Sequence, residues 1–280
     1  MIDLHIHTSA SDGTYSPKDI VSLALKTNLK AIAITDHDTI EGTAEAVREG
    51  GKVGLEVVPG VEISVEWHNS SIHILGYYID GTKKALSSEL NNLIRYREER
   101  NPRIIEKLNS LGIDISYDEV KTAAAGGTIG RPHFAQVLIE KGYVKNGNEA
   151  FRKYLQRGAS AYVDKKRLSP QEGIQLIKEA GGIAVLAHPF MIDSIGENKI
   201  EELILKLKHM GIGGIETLYP THNVQQTLQL KTIAEKYSLL LTGGSDFHGK
   251  QKPNIHLGTG FGKLRVPYKL LTRMKKTLKG

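Results

Sequence analysis

The stretch "DLHIHTSASDG", residues 3–13, decides how the rest of the chain is read. In an extended strand, residues i and i+2 point to the same side. His5 and His7 therefore face one common point, and Leu4 and Ile6 face the other way. Two imidazoles converging on a point suit a metal ion. They equally suit a polar pair on a strand edge, and this stretch alone leaves both readings open.

Working outward, short apolar runs alternate with longer helical patterns. The expected strands are 2–7, 30–35, 56–64, 71–78, 182–187, 213–218 and 239–244, with helices near 17–28, 40–50, 170–181, 198–210 and 222–237. "SP" at 16–17 and at 169–170 reads as an N-cap followed by proline at the first helical position. Gly181–Gly182 reads as a helix stop before a strand. Alternation on this scale predicts a parallel sheet, and about seven strands favour a barrel over an open doubly wound sheet. The interval 83–169 breaks the rhythm. It predicts a long helix, continuous or interrupted at Pro102, then helices at "RPHFAQVLIEKGY" and "NEAFRKYLQRG". The expected architecture is an α/β barrel formed by 1–94 and 168–280, with a helical insertion at 95–167.

Composition narrows the chemistry. The 280 residues are 40% hydrophobic, enough for a buried core, and include no cysteine. Disulfides, thiolate metal sites and a cysteine nucleophile are excluded, so a metal site must use His, Asp and Glu. Such donors accept zinc, manganese or iron. The N-terminus shows neither a basic n-region followed by an apolar h-region nor a run long enough to span a bilayer, which predicts a cytoplasmic location. The net charge is +6, and the insertion carries all of it, with 15 Lys+Arg against 9 Asp+Glu. That excess fits a docking surface for a polyanion or, equally, a solvated helical face.

The remaining polar residues of note cluster after strand ends. Asp12 follows the first strand, and Asp36, His37 and Asp38 follow the second. Glu62 lies near the end of the third and His73 within the fourth. His188 follows the fifth, Glu216 and His222 the sixth, and Asp246 and His248 the seventh. Singly, each has a plain explanation as a cap, a turn or a core histidine. Together they fall on the rim where α/β barrels build active sites.

The segments "DLHIHTSASDGTYSP", "ITDHDTIEG", "PGVEIS", "IHILGY", "AVLAHP" and "GSDFHG" resemble the motifs of the PHP (polymerase and histidinol phosphatase) family of the wider amidohydrolase group. The resemblance covers about 1–80 and 180–250 and implies a distorted (β/α)7 TIM-like barrel. "RPHFAQVLIEKGY" and "LYPTHN" further resemble its branch of 3′,5′-nucleotide bisphosphate phosphatases and a 5′→3′ exoribonuclease. By resemblance, one metal is held by His5, His7, Glu62 and Asp246. A second is held by Glu62, His73 and His188, with Glu62 bridging, and a third by Asp12, His37 and His248. All nine positions carry suitable ligands, so three divalent ions are expected, with manganese foremost and zinc or iron compatible. Glu62, His188 and Asp246 are the expected catalytic ligands of a phosphoesterase that uses a metal-activated hydroxide. Neither "GxSxG" nor a P-loop suggests a different nucleophile.

The resemblance also implies that Arg131, His133 and His222 hold a second, non-reacting phosphate, a guanidinium gripping phosphate in two parallel hydrogen bonds. Arg131 could instead cap or salt-bridge its helix. Asp36, Asp38 and Glu216 are expected to orient ligating histidines. His68, His209 and His256 are expected at the surface or in loops, and Tyr77 and Tyr78 in strand packing. The implied substrate is a 3′,5′-bisphosphonucleotide, such as adenosine 3′,5′-bisphosphate, or the 5′ end of short RNA, with no membrane and no obligate protein partner. A histidinol phosphatase and a non-enzymatic barrel are the alternatives. The first has no need of a basic insertion, and the second would be expected to lack ligands.

Overall fold

The computed structural model describes residues 1–279 apart from 69, 193–195 and 197–198. Among the described residues, seven strands run in spatial order β1 to β7: Ile2–Asp3, Ala31–Ile34, Glu56–Trp67, Ser70–Tyr77, Ile183–Leu186, Gly214–Leu218 and Leu240–Gly243. The first and last meet through backbone bonds. Leu4 N donates to Gly243 O at 3.2 Å, and His7 N to Phe247 O at 3.0 Å. The sheet thus curls back on itself as an α/β barrel.

The sheet is not wholly parallel, contrary to the expectation from strand–helix alternation. β4 runs antiparallel to both β3 and β5. The cause is local. β3 ends at Trp67 and β4 begins at Ser70, which leaves no room for a crossover helix, and so direct a connection forces reversal. Register then puts Ser64 opposite His73 and Glu62 opposite Leu75. Glu62 and His73 are diagonal neighbours on one face.

Helices α1 (Pro17–Lys26) and α2 (Glu41–Val53) cover β1 to β3, and α7 (Pro170–Glu179), α8 (Ile200–His209) and α9 (Val224–Lys236) cover the other side. Residue 198, where the sequence pattern starts α8, lies outside the described residues. The two Ser-Pro signals hold: Ser16 accepts from Asp19 N, and Ser169 forms a capping box with Glu172. α7 ends at Glu179 with Ala180 as its C-cap, and Gly181 follows with a φ of 76° that suits glycine. The C-terminal α10 (Lys269–Thr277) packs Leu270, Leu271 and Met274 against Ile2, Leu4, Leu75 and Tyr77.

The 83–169 interval holds no strand and forms α3 (Lys84–Ser110), α4 (Tyr117–Ala123), α5 (Arg131–Glu140), α6 (Gly147–Ala150) and a π-helical turn at Phe151–Leu155. α3 continues through Pro102, which is exposed, so water can take the carbonyl bond the proline leaves unmade. The first turns of α3 bury Leu86, Leu90 and Leu93 in the barrel's outer cluster. Its last turns bury Ile104 and Leu108 in a second cluster with Phe134, Leu138 and Leu155. One rigid rod therefore ties the helical segment to the barrel.

Candidate metal centre

The nine residues implied as ligands converge. Glu62 is their hub: Oε2 lies 3.3 Å from His5 Nε2, 3.2 Å from His7 Nε2 and 3.1 Å from His37 Nδ1. Its Oε1 lies 3.0 Å from both His73 Nδ1 and His188 Nε2. Asp246 Oδ1 is 3.3 Å from His7 Nε2 and 3.6 Å from His5 Nε2. Asp12 lies 3.4 Å from His248 Nε2, 3.5 Å from His7 Nδ1 and 3.9 Å from His37 Nε2.

Donor atoms fall into compact groups: His5–His7–Asp246, His5–Glu62–His188, His37–Glu62–His73 and His7–Asp12–His37–His248. The first group holds the implied first set without Glu62, and the last holds the implied third set with His7 added. The implied Glu62–His73–His188 set is divided between the two middle groups.

The donors fit cations by two observations. First, ring nitrogens of His5, His7, His37 and His188 are buried with no hydrogen-bond partner. Buried polar atoms of this kind call for an explanation, and a bound ion would supply one. Second, burial would raise the Glu62 carboxyl, but His37, His73 and His5 outweigh it and hold Glu62 well below the usual carboxylate range. Asp246 is held low by Lys252 and its histidines, and Asp12 by His248 and His37, in each case against burial. Three buried carboxylates therefore stay anionic beside six histidines. Burial pushes His37 down to about 3, so it keeps a lone pair for coordination.

Supporting contacts aim these groups. Glu216 accepts from His5 Nδ1 at 2.9 Å and from His188 N at 2.9 Å, as expected of an orienting carboxylate. Asp36 and Asp38 depart from that expectation. Asp36 accepts from Thr8 N and Thr8 Oγ1, each at 2.7 Å, and from Ser11 Oγ at 2.6 Å, so it shapes the turn that presents Asp12. Asp38 binds Ser64 N, Arg97 and Lys165 instead. His188, Asp246 and Asp38 have φ of 27°, 56° and 54°. Left-handed backbone at non-glycine residues costs roughly 1–3 kcal/mol each and persists where the surroundings impose it.

Two residues not singled out in the sequence complete the Asp246 environment. Tyr219 OH donates to Asp246 Oδ2 at 2.7 Å, and Lys252 Nζ lies 2.7 Å from the same oxygen. Both hold Oδ2, leaving Oδ1 turned to the histidines. A tyrosine in "ETLYPTH" carries no spacing signal that would have marked it.

A cavity of about 270 Å³ abuts Asp12, His37 and His73 and is lined by Arg97, Arg100, Arg131, Lys165 and Arg167. Arg131 lines it, with its guanidinium also over the Phe151 and Tyr162 rings at 5.8 and 5.6 Å. His133 is buried, its Nδ1 accepting from Gly130 N at 3.0 Å, and does not line the cavity. His222 borders a different groove, with Nδ1 3.1 Å from Thr217 O. The charge excess of 95–167 foreshadowed the other four cations without showing which would converge. His68, His209 and His256 are exposed, Tyr77 is buried with its OH on Leu4 O, and Tyr78 is half-buried, as expected. Among the described residues, no helix is long and apolar enough to cross a membrane.

Fold and donor set together define a metal-dependent phosphoester hydrolase. The PHP domain model matches residues 3–168. A 5′-3′ exoribonuclease of Haemophilus influenzae is 37% identical over 88% of this chain and 89% of its own. A 3′,5′-nucleoside bisphosphate phosphatase of Chromobacterium violaceum is 35% identical over 88% of this chain and 87% of its own. The solved structure of a metal-dependent phosphoesterase from Bifidobacterium adolescentis superposes with a TM-score of 0.87 at 32% identity, covering 98% of this chain and 94% of that one. The chain belongs to the PHP family.

Proposed function

We propose that this protein hydrolyses a phosphate ester of 3′,5′-bisphosphonucleotides, or of the 5′ end of short RNA, at a centre of three divalent ions, manganese foremost. The observation that carries the reading is the cationic cavity beside the ligand cluster. A monophosphate needs the cluster alone, whereas five cations next to it suit a second phosphate. The names of the two curated relatives support the same class.

When bound, divalent ions supply water activation and neutralise charge on the phosphoryl oxygens. His5, His7, Glu62 and Asp246 would hold one ion, Glu62, His73 and His188 another, and Asp12, His37 and His248 a third. Glu62 touches five histidines, so its carboxylate would offset repulsion between cations held by them. Tyr219 and Lys252 fix Asp246, and Glu216 fixes His5, so the donors are in place before substrate arrives. Arg131, Arg97 and Lys165 orient the non-reacting phosphate and hold the scissile ester over the cluster. Segment 95–167 acts as the substrate-capping insertion on the barrel.

The test is a hydrolysis panel with manganese added: adenosine 3′,5′-bisphosphate, histidinol phosphate and 5′-phosphorylated short RNA. Turnover of the bisphosphate or the RNA is expected. Turnover of histidinol phosphate alone would refute the reading.

A further inference from the structure

A second recess lies near the ligand cluster, with Tyr219 between the two. It encloses about 660 Å³ between the loop after β6, the start of α9 and the 261–265 loop. It shares no lining residue with the cationic cavity. Whereas that cavity touches the cluster through Asp12, His37 and His73, the groove reaches it through Tyr219, whose hydroxyl donates to Asp246 at 2.7 Å.

The surface of the groove is unusual for solvent. Val224 is 85% exposed, Leu228 63% and Phe261 55%. Lys231, Lys263 and Arg265 also line it, and no carboxylate does among its described lining residues. Aromatic and apolar faces interleaved with cations, free of acids, suit a single-stranded polyanion whose bases stack and whose phosphates need neutralising.

We propose that this groove guides the 3′ continuation of a 5′-phosphorylated RNA chain as it leaves the metal cluster. The inference rests on the nucleotide reading above. If the terminal phosphate is anchored among the arginines, the rest of an oligonucleotide must depart elsewhere, and the groove lies one side chain, Tyr219, from Asp246 of the cluster. A single bisphosphonucleotide ends before the groove and does not use it.

The test compares two substrates on the manganese-loaded enzyme: a 5′-phosphorylated hexaribonucleotide and adenosine 3′,5′-bisphosphate. Phe261→Ala should raise KM for the hexamer about tenfold by removing a stacking platform. It should leave kcat/KM for the bisphosphate within about twofold. In fluorescence anisotropy, Lys231→Gln combined with Lys263→Gln should flatten the log–log salt dependence of hexamer binding by about 0.7 for each phosphate no longer neutralised. These variants are at exposed positions, and an unchanged bisphosphate rate confirms an intact fold. Unchanged hexamer KM and salt dependence, or equal losses on both substrates, would overturn the track. Wild-type enzyme that cleaves the bisphosphate but never the hexamer would overturn the track alone, whereas failure on both substrates would refute the nucleotide reading itself.

Discussion

Lys165 Nζ lies 3.1 Å from Asp38 Oδ2, across 127 positions of sequence, and both side chains are buried. Asp38 belongs to the barrel rim and Lys165 to the return of the helical segment, with Arg97 of α3 on the same carboxylate oxygen. This contact fastens the cationic cavity to the metal centre.

Burial pushes Lys165 down to about 7; Arg97 adds to the shift and Asp38 opposes it. The lysine is therefore a cation below about pH 7 and neutral above it. Its attraction for a phosphate should fade as pH rises through 7, and kcat/KM reports the free enzyme's groups. Lys165→Arg keeps the charge throughout. The ratio of variant to wild-type kcat/KM for the bisphosphate should climb above pH 7, and a flat ratio would count against the assignment. The unfolded lysine keeps its proton to about 10.4. Linkage then makes this residue's contribution to stability rise with pH between 7 and that value.

Glu216→Gln should leave the fold intact yet lower metal affinity about 10–100-fold, because Glu216 holds the His5 ring and the His188 backbone. Metal content after dialysis against a weak chelator, with circular dichroism as the control, measures both. Full retention of metal would show that the contact is only structural.

Arg131→Ala should raise KM for a 3′,5′-bisphosphate about tenfold or more, the loss of a charged hydrogen bond being worth roughly 1.5–3 kcal/mol. A simple monophosphate should be affected much less. Equal effects on the two would instead point to a structural role through the bond from Arg131 to Leu155 O at 2.9 Å.

Chelator treatment should abolish activity, and returning manganese should restore it. The ions bind only the folded chain, so saturation at about 100 times Kd should stabilise it by about 2.7 kcal/mol per site. A melting curve should shift upward by several degrees. No shift would argue that these donors bind nothing at the concentrations used.

Gly244→Ala should be damaging out of proportion to one methyl group. A Cβ there would meet His5 N at 2.3 Å and His5 Cβ at 2.4 Å, both in rigid backbone surroundings. Overpacking of this kind costs roughly 1–3 kcal/mol, and displacing His5 should lower metal content as well. Denaturant unfolding and metal analysis together test it.

The candidate metal donors were legible because each sits in a short motif in or beside a strand. Period-two alternation already aimed His5 and His7 together, and the missing cysteines limited the donors to His, Asp and Glu. The barrel's strands and Ser-Pro caps were legible for the same reason, since they depend on neighbours within a few residues. What tertiary structure decided is what depends on distant pairing. The reversal of β4 follows from a connection too short for a helix, which the apolar pattern does not reveal. Asp38 could be read as a histidine's support until Arg97 and Lys165 arrived on it. Tyr219 and Lys252 share one oxygen of Asp246 only because their loops fold over the same rim. Net charge marked the 95–167 segment as basic, but convergence of Arg97, Arg100, Arg131, Lys165 and Arg167 on one cavity required the chain to close. Sequence carries donor chemistry and local geometry. The choice of which buried charges face each other is made by packing, where desolvation makes an unpaired ion costly and so dictates its partner.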